Sequence, residues 1–204
     1  MKKYPSISRK VVYGSNLYVY EKLDGSNIRA EWTPKNGFHK FGRRNGLLDH
    51  SNPWLLEAPD LIMDESAAGL DEVFRKMRVR KAIAFFEFWG ANSEYGTHTD
   101  EPHTCTLIDV GVDKNGLLPP KEFEKWFRPQ YIPIAKLLQR GFSHEDMEAV
   151  RAGWFPGMPF EGVVVKGPVE SPGRPLMYKV KSEKWLSRLR EKCGDDTALF
   201  EKLR

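Results

Sequence analysis

Residues 16–32 read NLYVYEKLDGSNIRAEW, which predicts two strands joined by a tight turn. Positions 16–21 are rich in aromatic and aliphatic residues, and positions 27–32 alternate apolar with polar residues, so a strand is expected on each side. An Asp-Gly pair at 24–25 breaks the chain between them, because glycine allows the backbone to turn sharply. Lys22 therefore lies at the end of a strand, immediately before a turn that brings other groups close to its side chain.

Lys22 is placed as a nucleophile would be. An amine attacks only when it is unprotonated, and lowering a lysine pKa from about 10.4 to about 8 requires roughly 3 kcal/mol. One cation at about 4 Å supplies about 4 kcal/mol at an effective dielectric constant of about 20. Lys179 and Lys181 project from the same face of a predicted strand, so they are either screened by water or hold an anion between them. If they lie beside Lys22, we expect them to lower its pKa.

Acidic residues interrupt apolar strands, which is costly unless each charge finds a partner or a ligand. Glu87 lies in a run, 82–89, that is apolar on both faces. Asp109 repeats the pattern, and Glu161 and Lys166 stand at the two ends of a valine-rich run. A shared polar site would explain all of them, whereas each acid alone could equally end a strand at the surface or pair with a buried arginine.

The composition is that of one globular domain, with 204 residues, 40% hydrophobic and 29% charged. No apolar run approaches the roughly 20 residues of a membrane helix, and the N-terminal residues lack the apolar segment of a secretory signal. Two well-separated cysteines do not suggest a disulfide framework, so we expect a cytoplasmic protein. The net charge of +4 permits a polyanionic partner without requiring one.

The other elements are predicted from periodicity and capping residues. Apolar residues at helical spacing predict a helix over 70–80. The prolines at 119–120 open a helix-rich stretch that runs to 153, in which Ser143 and Asp146 resemble a capping box. Ser182 is expected to cap a terminal helix. The further predicted strands are 38–43, 82–88, 104–112, 160–166 and 176–181.

Six short motifs occur in the order typical of the covalent nucleotidyltransferases, and the chain resembles this superfamily of ATP- and NAD-dependent polynucleotide ligases and mRNA capping enzymes. A single K-x-D-G would be weak evidence, but the ordered set runs from residue 21 to residue 181. Segments 2–7 and 178–185 are most similar to the RNA ligase 2-type branch, which includes RNA-editing ligases. The motifs are motif I at 22–25, motif Ia at 43–46, motif III at 86–90, motif IIIa at 107–110, motif IV (E-G-x-V-x-K) at 161–166 and motif V at 178–181.

The resemblance implies an α+β fold, the ATP-grasp-like nucleotidyltransferase fold of ligase catalytic domains, with two antiparallel β-sheets, flanking helices and a nucleotide groove between the sheets. We expect residues 1–204 to form a single, monomeric adenylation domain without a separate OB-fold or C-terminal nick-binding domain. The grip on nucleic acid would then come from basic runs such as 75–81, which could equally be solvated helix faces, or from an accessory or duplex-binding partner.

The resemblance also implies an ATP-dependent RNA ligase that uses Mg²⁺ or Mn²⁺ and acts on RNA ends or nicked duplexes in RNA repair. Lys22 would attack ATP, release pyrophosphate and carry AMP as a lysyl-AMP intermediate. AMP would pass to a 5′-phosphate, and a 3′-hydroxyl would then displace it.

Two alternative functions share these motifs or this fold. A DNA-sealing or GTP-dependent capping-type enzyme would carry the same motifs. A noncatalytic nucleotide- or RNA-binding domain could retain the fold, but a decayed site should have lost some of the motif residues, and all of them are present here.

Individual roles are implied motif by motif. Asp24 would orient Lys22, while Lys179 and Lys181 would neutralise the α-phosphate during transfer at phosphorus. Glu161 would help to hold the divalent metal. The residues expected to bind the nucleotide are Glu21 (adenine, through its backbone), Asn27 (phosphate), Arg44 and Glu87 (ribose hydroxyls) and Lys166 (phosphate).

Three features depart from the family pattern. Ile108 occupies a position that is often aromatic and stacks on the base, so stacking is expected to be weaker or to come from elsewhere. Arg43 replaces a small residue before the motif Ia arginine, so either Arg43 or Arg44 could act. Strand alternation puts Glu161 and Lys166 on opposite faces, and both reach one site only if the strand twists or bulges. Three tryptophans are interpreted as core or loop packing: Trp54, Trp126 and Trp154.

Overall fold

Two antiparallel β-sheets with flanking helices make up the structure, a computed structural model that describes residues 1–91, 100–171 and 173–204. Within these residues the strands are β1 (Gly14–Glu21), β2 (Ser26–Thr33), β3 (Gly37–Arg43), β4 (Gly46–Leu47), β5 (Ala82–Trp89), β6 (Thr104–Val112), β7 (Gly116–Leu117), β8 (Leu137–Phe142), β9 (Gly162–Ser171) and β10 (Arg174–Lys181). The helices are α1 (Ala58–Glu65), α2 (Ala67–Lys76), α3 (Pro120–Phe127), α4 (His144–Ala152), α5 (Glu183–Cys193) and α6 (Thr197–Leu203), and a short 3₁₀ turn, Pro53–Leu55, precedes α1. None of the helices in the described ranges is long and apolar enough to cross a membrane.

The larger sheet has the strand order β4-β3-β2-β5-β6-β7, and the smaller sheet has the order β10-β9-β1-β8. We call them the large sheet and the small sheet. The chain crosses from the small sheet to the large sheet between β1 and β2, through residues 22–25. The predicted pair of antiparallel sheets with flanking helices is confirmed, and the predicted turn is the point where the chain changes sheet.

One face of β2 contributes to the core of the large sheet. Ile28 and Trp32 are fully buried there, and the ring of Trp32 lies 5.2 Å from the ring of Phe74 in α2. Burying a side chain of this kind stabilises the fold by about 2–3 kcal/mol. The opposite face of the large sheet meets the small sheet, since Phe85 of β5 packs in one cluster with Met177 of β10. The two sheets therefore face each other, and a groove lies between them.

The small sheet has its own core against α4. Val163 and Val165 of β9 are fully buried and pack with Met147 and Val150 of that helix. The helix begins with the predicted capping box, in which the side chain of Ser143 accepts a hydrogen bond from the Asp146 amide. These contacts hold the strands that carry motifs IV and V.

Two predicted helical regions are present but differ in detail. The helix expected over 70–80 is α2, which begins at Ala67 and ends at Lys76, and Arg78 just beyond it has a positive φ of 55° that a helix cannot continue through. The helix-rich stretch expected over 119–153 contains α3 and α4, but the strand β8, which was not predicted, lies between them and pairs with β1. That pairing joins segments far apart in the chain, so local periodicity does not indicate it. The strand expected over 104–112 has the predicted bounds.

Gly25 allows the crossing segment to lie against the large sheet. A β-carbon at this position would stand 2.2 Å from the carbonyl oxygen of Phe88 and 2.8 Å from the β-carbon of Trp89. Only glycine leaves room for so close an approach of two backbones. The crossing segment, and with it Lys22, is thereby held at the end of β5.

Candidate active site

A groove of about 560 Å³ opens between the two sheets, a volume typical of small-molecule sites. Its lining brings together most of the residues predicted from sequence: Lys22, Asp24, Asn27, Arg44, Glu87, Glu161, Lys179 and Lys181. They come from both sheets and from the crossing segment between them. The structure therefore places motifs I, Ia, III, IV and V around one site.

Lys22 and Lys181 share one carboxylate in this groove. The Nζ atom of Lys22 lies 2.7 Å from Oε2 of Glu161, and the Nζ atom of Lys181 lies 2.9 Å from Oε1 of the same residue. Strand pairing produces this arrangement, since Lys181 of β10 is opposite Gly162 of β9. The Glu161 side chain is only 3% exposed, so the three charges interact where water screens them weakly.

The expectation that neighbouring cations lower the Lys22 pKa was wrong. Burial alone would lower this pKa, but the carboxylates of Glu161 and Glu87 outweigh burial and raise it. The two carboxylates therefore favour the ammonium form of Lys22.

The lowered pKa values belong to the motif V lysines instead. Burial, Lys181 and Lys22 lower the pKa of Lys179 to about 7. Burial and Lys22 lower the pKa of Lys181 to about 8, although Glu161 opposes that shift. An anion bound beside these lysines would raise both values again, so the pair is suited to hold a phosphate.

The C-terminal end of α6 lies on the same two lysines. Lys179 donates a hydrogen bond of 2.9 Å to the main-chain oxygen of Arg204, and Lys181 donates one of 2.8 Å to that of Leu203. Arg9 also donates to the main-chain oxygen of Glu201 at 2.6 Å. The last carbonyls of a helix have no partner within it and carry partial negative charge, so they occupy positions suited to phosphate oxygens.

Trp185 connects motif I with motif V, a role that sequence reasoning missed. Its indole Nε1 donates to Oδ2 of Asp24 at 2.9 Å, and the Nζ atom of Lys181 lies 3.4 Å from the centre of its ring. The predicted cap at Ser182 positions it, because the Ser182 hydroxyl accepts from the Trp185 amide at 3.1 Å. Burial and Glu161 raise the pKa of Asp24, whereas the indole hydrogen bond favours its charged form.

Glu87 faces the groove from β5, directly opposite Asn27 of β2. Burial raises the Glu87 pKa to about 7, with Glu161 and Asp24 acting in the same direction and Lys22 opposing them. Asn27 donates to the main-chain oxygen of Phe86 at 3.3 Å, while its own Oδ1 is buried without a hydrogen-bond partner among the described residues.

Lys166 does not belong to the described lining of the groove, and its predicted contact with the nucleotide has no support in this placement. Its buried ammonium lies 2.8 Å from Oδ2 of Asp109 and donates to the main-chain oxygen of Ile108 at 2.7 Å. The hydroxyl of Tyr4 donates to the same Asp109 carboxylate. Lys166 thus forms a buried ion pair with the large sheet. Strand pairing puts it on the same face of the small sheet as Lys179 and Lys181, and Gly162, whose φ is 136°, interrupts the alternation next to Glu161.

The side chain of Glu21 also lies outside the described lining of the groove. Its side chain accepts a hydrogen bond of 2.9 Å from the Lys136 amide, and its own amide donates to the Lys136 carbonyl at 3.1 Å. The main-chain role suggested for Glu21 stays a prediction.

Three further side chains line the groove, namely Arg43, Trp54 and Ile108. Ile108 takes the place of the absent aromatic residue, and Arg43 lines the groove together with Arg44. Trp54, interpreted from sequence as packing, lies at the groove with half of its surface exposed. The run Pro53–Leu55 contains no motif residue, so no pattern in the sequence had marked it.

The donor set suits a hard divalent cation bound together with substrate. In the described ranges, no group of three or more His, Cys, Asp or Glu side chains is arranged to hold a metal by itself. Carboxylates line the groove, however, and Glu161 presents a buried oxygen toward Lys22. Mg²⁺ usually binds one or two carboxylates and completes its shell with water and phosphate oxygens. Glu161 fits that role.

Comparisons with known proteins identify the family and the fold. The RNA ligase family model matches residues 15–182. An archaeal ATP-dependent RNA ligase has a similar fold, with a TM-score of 0.66 and 18% identity over 100% of this chain and 56% of that one. A Naegleria gruberi RNA ligase with pyrophosphate gives a TM-score of 0.61 and 17% identity over 87% and 52% of the two chains. A mutant of the Naegleria ligase with ATP and Mn gives a TM-score of 0.59 and 16% identity over 85% of this chain and 51% of that one.

These solved structures are considerably longer than the present chain, which spans about half of their length. Identities this low establish similarity of fold. No curated protein sequence matched.

Proposed function

The chain belongs to the RNA ligase family, and from this premise we propose that it is an ATP-dependent RNA ligase that joins 5′-phosphate and 3′-hydroxyl ends through a lysyl-AMP intermediate. The observation that carries the proposal is the Glu161 carboxylate bound to both Lys22 and Lys181 inside the groove. This arrangement combines Lys22 as the nucleophile, Glu161 as a base that can accept its proton, and Lys181 as a cation for the reacting phosphate.

The first step requires a neutral amine at position 22. Because the Lys22 pKa is raised, its ammonium must lose a proton before attack, and Glu161 at 2.7 Å is the nearest base for it. The amine then forms a bond to the α-phosphorus of ATP as the bond to the leaving pyrophosphate breaks. The nitrogen gives its second proton to the departing pyrophosphate, which leaves a phosphoramidate N–H. A divalent cation, Mg²⁺ or Mn²⁺, held by Glu161 with the phosphates would supply charge neutralisation.

The motif V lysines neutralise the α-phosphate. Lys179 and Lys181 now donate to main-chain oxygens of α6, so these contacts are exchanged for phosphate oxygens when ATP binds. Transfer at phosphorus depends mainly on such positioning and charge neutralisation. Asp24, held by the Trp185 indole, keeps the crossing segment oriented beside Lys181.

The remaining groove residues position the nucleotide and the incoming strand. Glu87 and Arg44 bind the ribose hydroxyls, and Asn27 contacts a phosphate. In the second step an oxygen of the RNA 5′-phosphate attacks the α-phosphorus, and the phosphorus–nitrogen bond breaks. Nζ of Lys22 regains one proton from Glu161. A 3′-hydroxyl then displaces AMP and seals the strand.

The direct test is intact-protein mass spectrometry after incubation with ATP and Mg²⁺. The parent chain should gain one AMP in an acid-labile adduct, and Lys22→Ala should gain none. Lys181→Ala should impair adduct formation much more than Lys184→Ala, which removes an exposed lysine three residues away. Absence of the adduct from the parent, or equal losses in the two lysine variants, would refute the proposal.

Substrate arms of the same experiment separate the related activities. The adduct is next offered 5′-phosphorylated RNA ends, a nicked RNA duplex or a nicked DNA duplex, and GTP is tested in place of ATP. Release of AMP to RNA with ATP as donor is the expected result. Transfer to DNA alone, or an adduct with GTP alone, would identify a DNA-sealing or a capping-type enzyme instead.

A further inference from the structure

Two cationic walls from different sheets flank Lys22. Lys179 and Lys181 belong to β10 of the small sheet, whereas Arg43 and Arg44 lie where β3 of the large sheet ends. A lysine that receives AMP from one phosphate and passes it to another needs a site for each phosphate. In the proposed function Lys179 and Lys181 bind the α-phosphate, and Arg44 binds the ribose. Arg43 is therefore the cation of the large-sheet wall that is left for the second phosphate.

An exposed tryptophan stands at the large-sheet wall. Trp54 is 50% exposed, lines the groove and lies 6.0 Å, ring centre to ring centre, from Phe88. Phe88 is opposite Ser26 in the sheet, and Arg43 is opposite Ile28 two residues further along the same strand. Trp54 and Arg43 therefore stand at the same end of the large sheet, where β2 begins.

Two buried polar atoms at this end have no partner among the described residues. They are Nε of Arg43, a donor, and Oδ1 of Asn27, an acceptor. A buried polar group without a hydrogen bond costs about 1–3 kcal/mol, so atoms of this kind indicate where a polar ligand binds. Both residues line the groove. The wall thus offers a flat aromatic surface together with unsatisfied hydrogen-bonding groups.

We propose that Trp54 and Arg43 form the subsite for the 5′-phosphorylated terminal nucleotide of the RNA substrate, with its base stacked on the indole and its phosphate on the guanidinium. The subsite rests on the proposed ligase function and names where that function receives its strand. Single-stranded RNA is bound by stacking unpaired bases on aromatic side chains, and arginine binds phosphate through paired hydrogen bonds.

The exposure of Trp54 favours an RNA end over the adenine of ATP as the occupant. A polynucleotide must continue out of the groove into solvent, and a half-exposed indole at the edge allows that path. Trp54 also supplies an aromatic surface in a groove whose motif IIIa position is Ile108. Trp154 is exposed as well, at 67%, but does not belong to the described lining, and it provides a matched control.

The first experiment measures affinity for a short 5′-phosphorylated single-stranded RNA labelled at its 3′ end, by fluorescence anisotropy at fixed low salt. Trp54→Ala should weaken binding by about 5- to 100-fold, the range that loss of one base–aromatic stack produces. Trp54→Phe should retain affinity within about threefold, since a ring remains. Trp154→Ala should bind like the parent. A Trp54→Ala protein that binds as tightly as the parent, with unchanged thermal unfolding, would overturn the proposal.

A second arm tests the phosphate contact. The parent should prefer a 5′-phosphate over a 5′-hydroxyl end, and Arg43→Gln should abolish most of that preference. Loss of the preference for a 5′-phosphate in this variant identifies a phosphate contact, because a purely structural role for Arg43 would weaken the binding of both kinds of RNA end equally. Equal weakening would overturn the assignment of Arg43.

The third arm separates this subsite from the proposed function. With ATP, the ratio of the rate of AMP transfer to RNA over the rate of adduct formation should fall at least about fivefold in Trp54→Ala. Slow adduct formation with normal RNA affinity would place the adenine at Trp54 and overturn the proposal. A parent that binds RNA through Trp54 but never forms the AMP adduct would refute the ligase function and leave the RNA subsite standing.

Discussion

Replacing Glu87 by glutamine should stabilise the protein at alkaline pH, at the expense of its binding site. Burial, together with Glu161 and Asp24, raises the pKa of Glu87 to about 7, even though Lys22 opposes the shift. Glutamine has nearly the same shape and keeps a carbonyl oxygen for the Gly25 amide, but it carries no charge. The change therefore removes a buried charge without opening a cavity.

Proton linkage gives the sign and the size of this effect on the free energy of unfolding. Glu87 titrates near 4.5 in the unfolded chain and at about 7 in the folded one, so the folded state binds more protons between these pH values. The free energy of unfolding consequently falls as pH rises from 4.5 to 7, and the loss is complete above pH 7. A shift of this size corresponds to about 3 kcal/mol, and we expect about 2 kcal/mol because Glu87 is only partly buried as a residue.

Urea unfolding of the parent and Glu87→Gln at pH 5 and pH 8 measures this effect. The variant should be more stable than the parent by about 2 kcal/mol at pH 8 and by less than about 1 kcal/mol at pH 5. Glu72→Gln, which changes an exposed residue of α2, should show no such pH dependence. A difference between parent and Glu87→Gln that is the same at both pH values would refute the reasoning.

Three further outcomes follow from contacts in and around the groove. Asp109→Asn should lower the free energy of unfolding by about 3–5 kcal/mol in urea, since it leaves the Lys166 ammonium buried without its countercharge, and an unchanged midpoint would contradict this. Gly25→Ala should destabilise by about 1–3 kcal/mol in the same assay, because its β-carbon would meet the Phe88 carbonyl, whereas Gly14→Ala has open space and should not. Adding ATP should accelerate amide hydrogen exchange in α6 relative to α4, measured by mass spectrometry, because phosphate takes the place of the α6 carbonyls; slower exchange in α6 would argue against that exchange of partners.

The sheets could be predicted from sequence wherever a strand carries a strong local pattern. The run 104–112 is rich in β-branched residues, and its predicted bounds are those of β6. β8 has only one buried residue, and its place is decided by pairing with β1 more than a hundred residues earlier. The strand β8 is stabilised by its pairing with β1, so the local sequence of residues 137–142 does not predict it. The same holds for α6, which is short and held by contacts to distant residues.

The residues of the site could be predicted, but the pairing of their charges could not. Motif order identified Lys22, Glu161 and Lys181 as neighbours of one groove. The register that puts Lys181 opposite Gly162 decides that Glu161 stands between the two lysines, and register depends on the whole hairpin. Lys166 is a second case. Simple alternation put Lys166 and Glu161 on opposite faces, but the register puts Lys166 on the face of Lys179 and Lys181, because the backbone at Gly162 interrupts the alternation. Its pairing with Asp109 of the large sheet could not be predicted from local sequence.

The direction of the pKa shifts changes how reactivity at position 22 arises. If cations alone had surrounded Lys22, they would have lowered its pKa and favoured the neutral amine. Because Glu161 and Glu87 raise that pKa instead, the proposed attack requires Lys22 to transfer a proton, and Glu161 is the nearest base. Lys179 and Lys181 have lowered pKa values, and each donates a hydrogen bond to a main-chain oxygen at the end of α6. In the proposed mechanism the Glu161 carboxylate that pairs with Lys181 also accepts the Lys22 proton, so the phosphate-binding side and the nucleophile are coupled through one side chain.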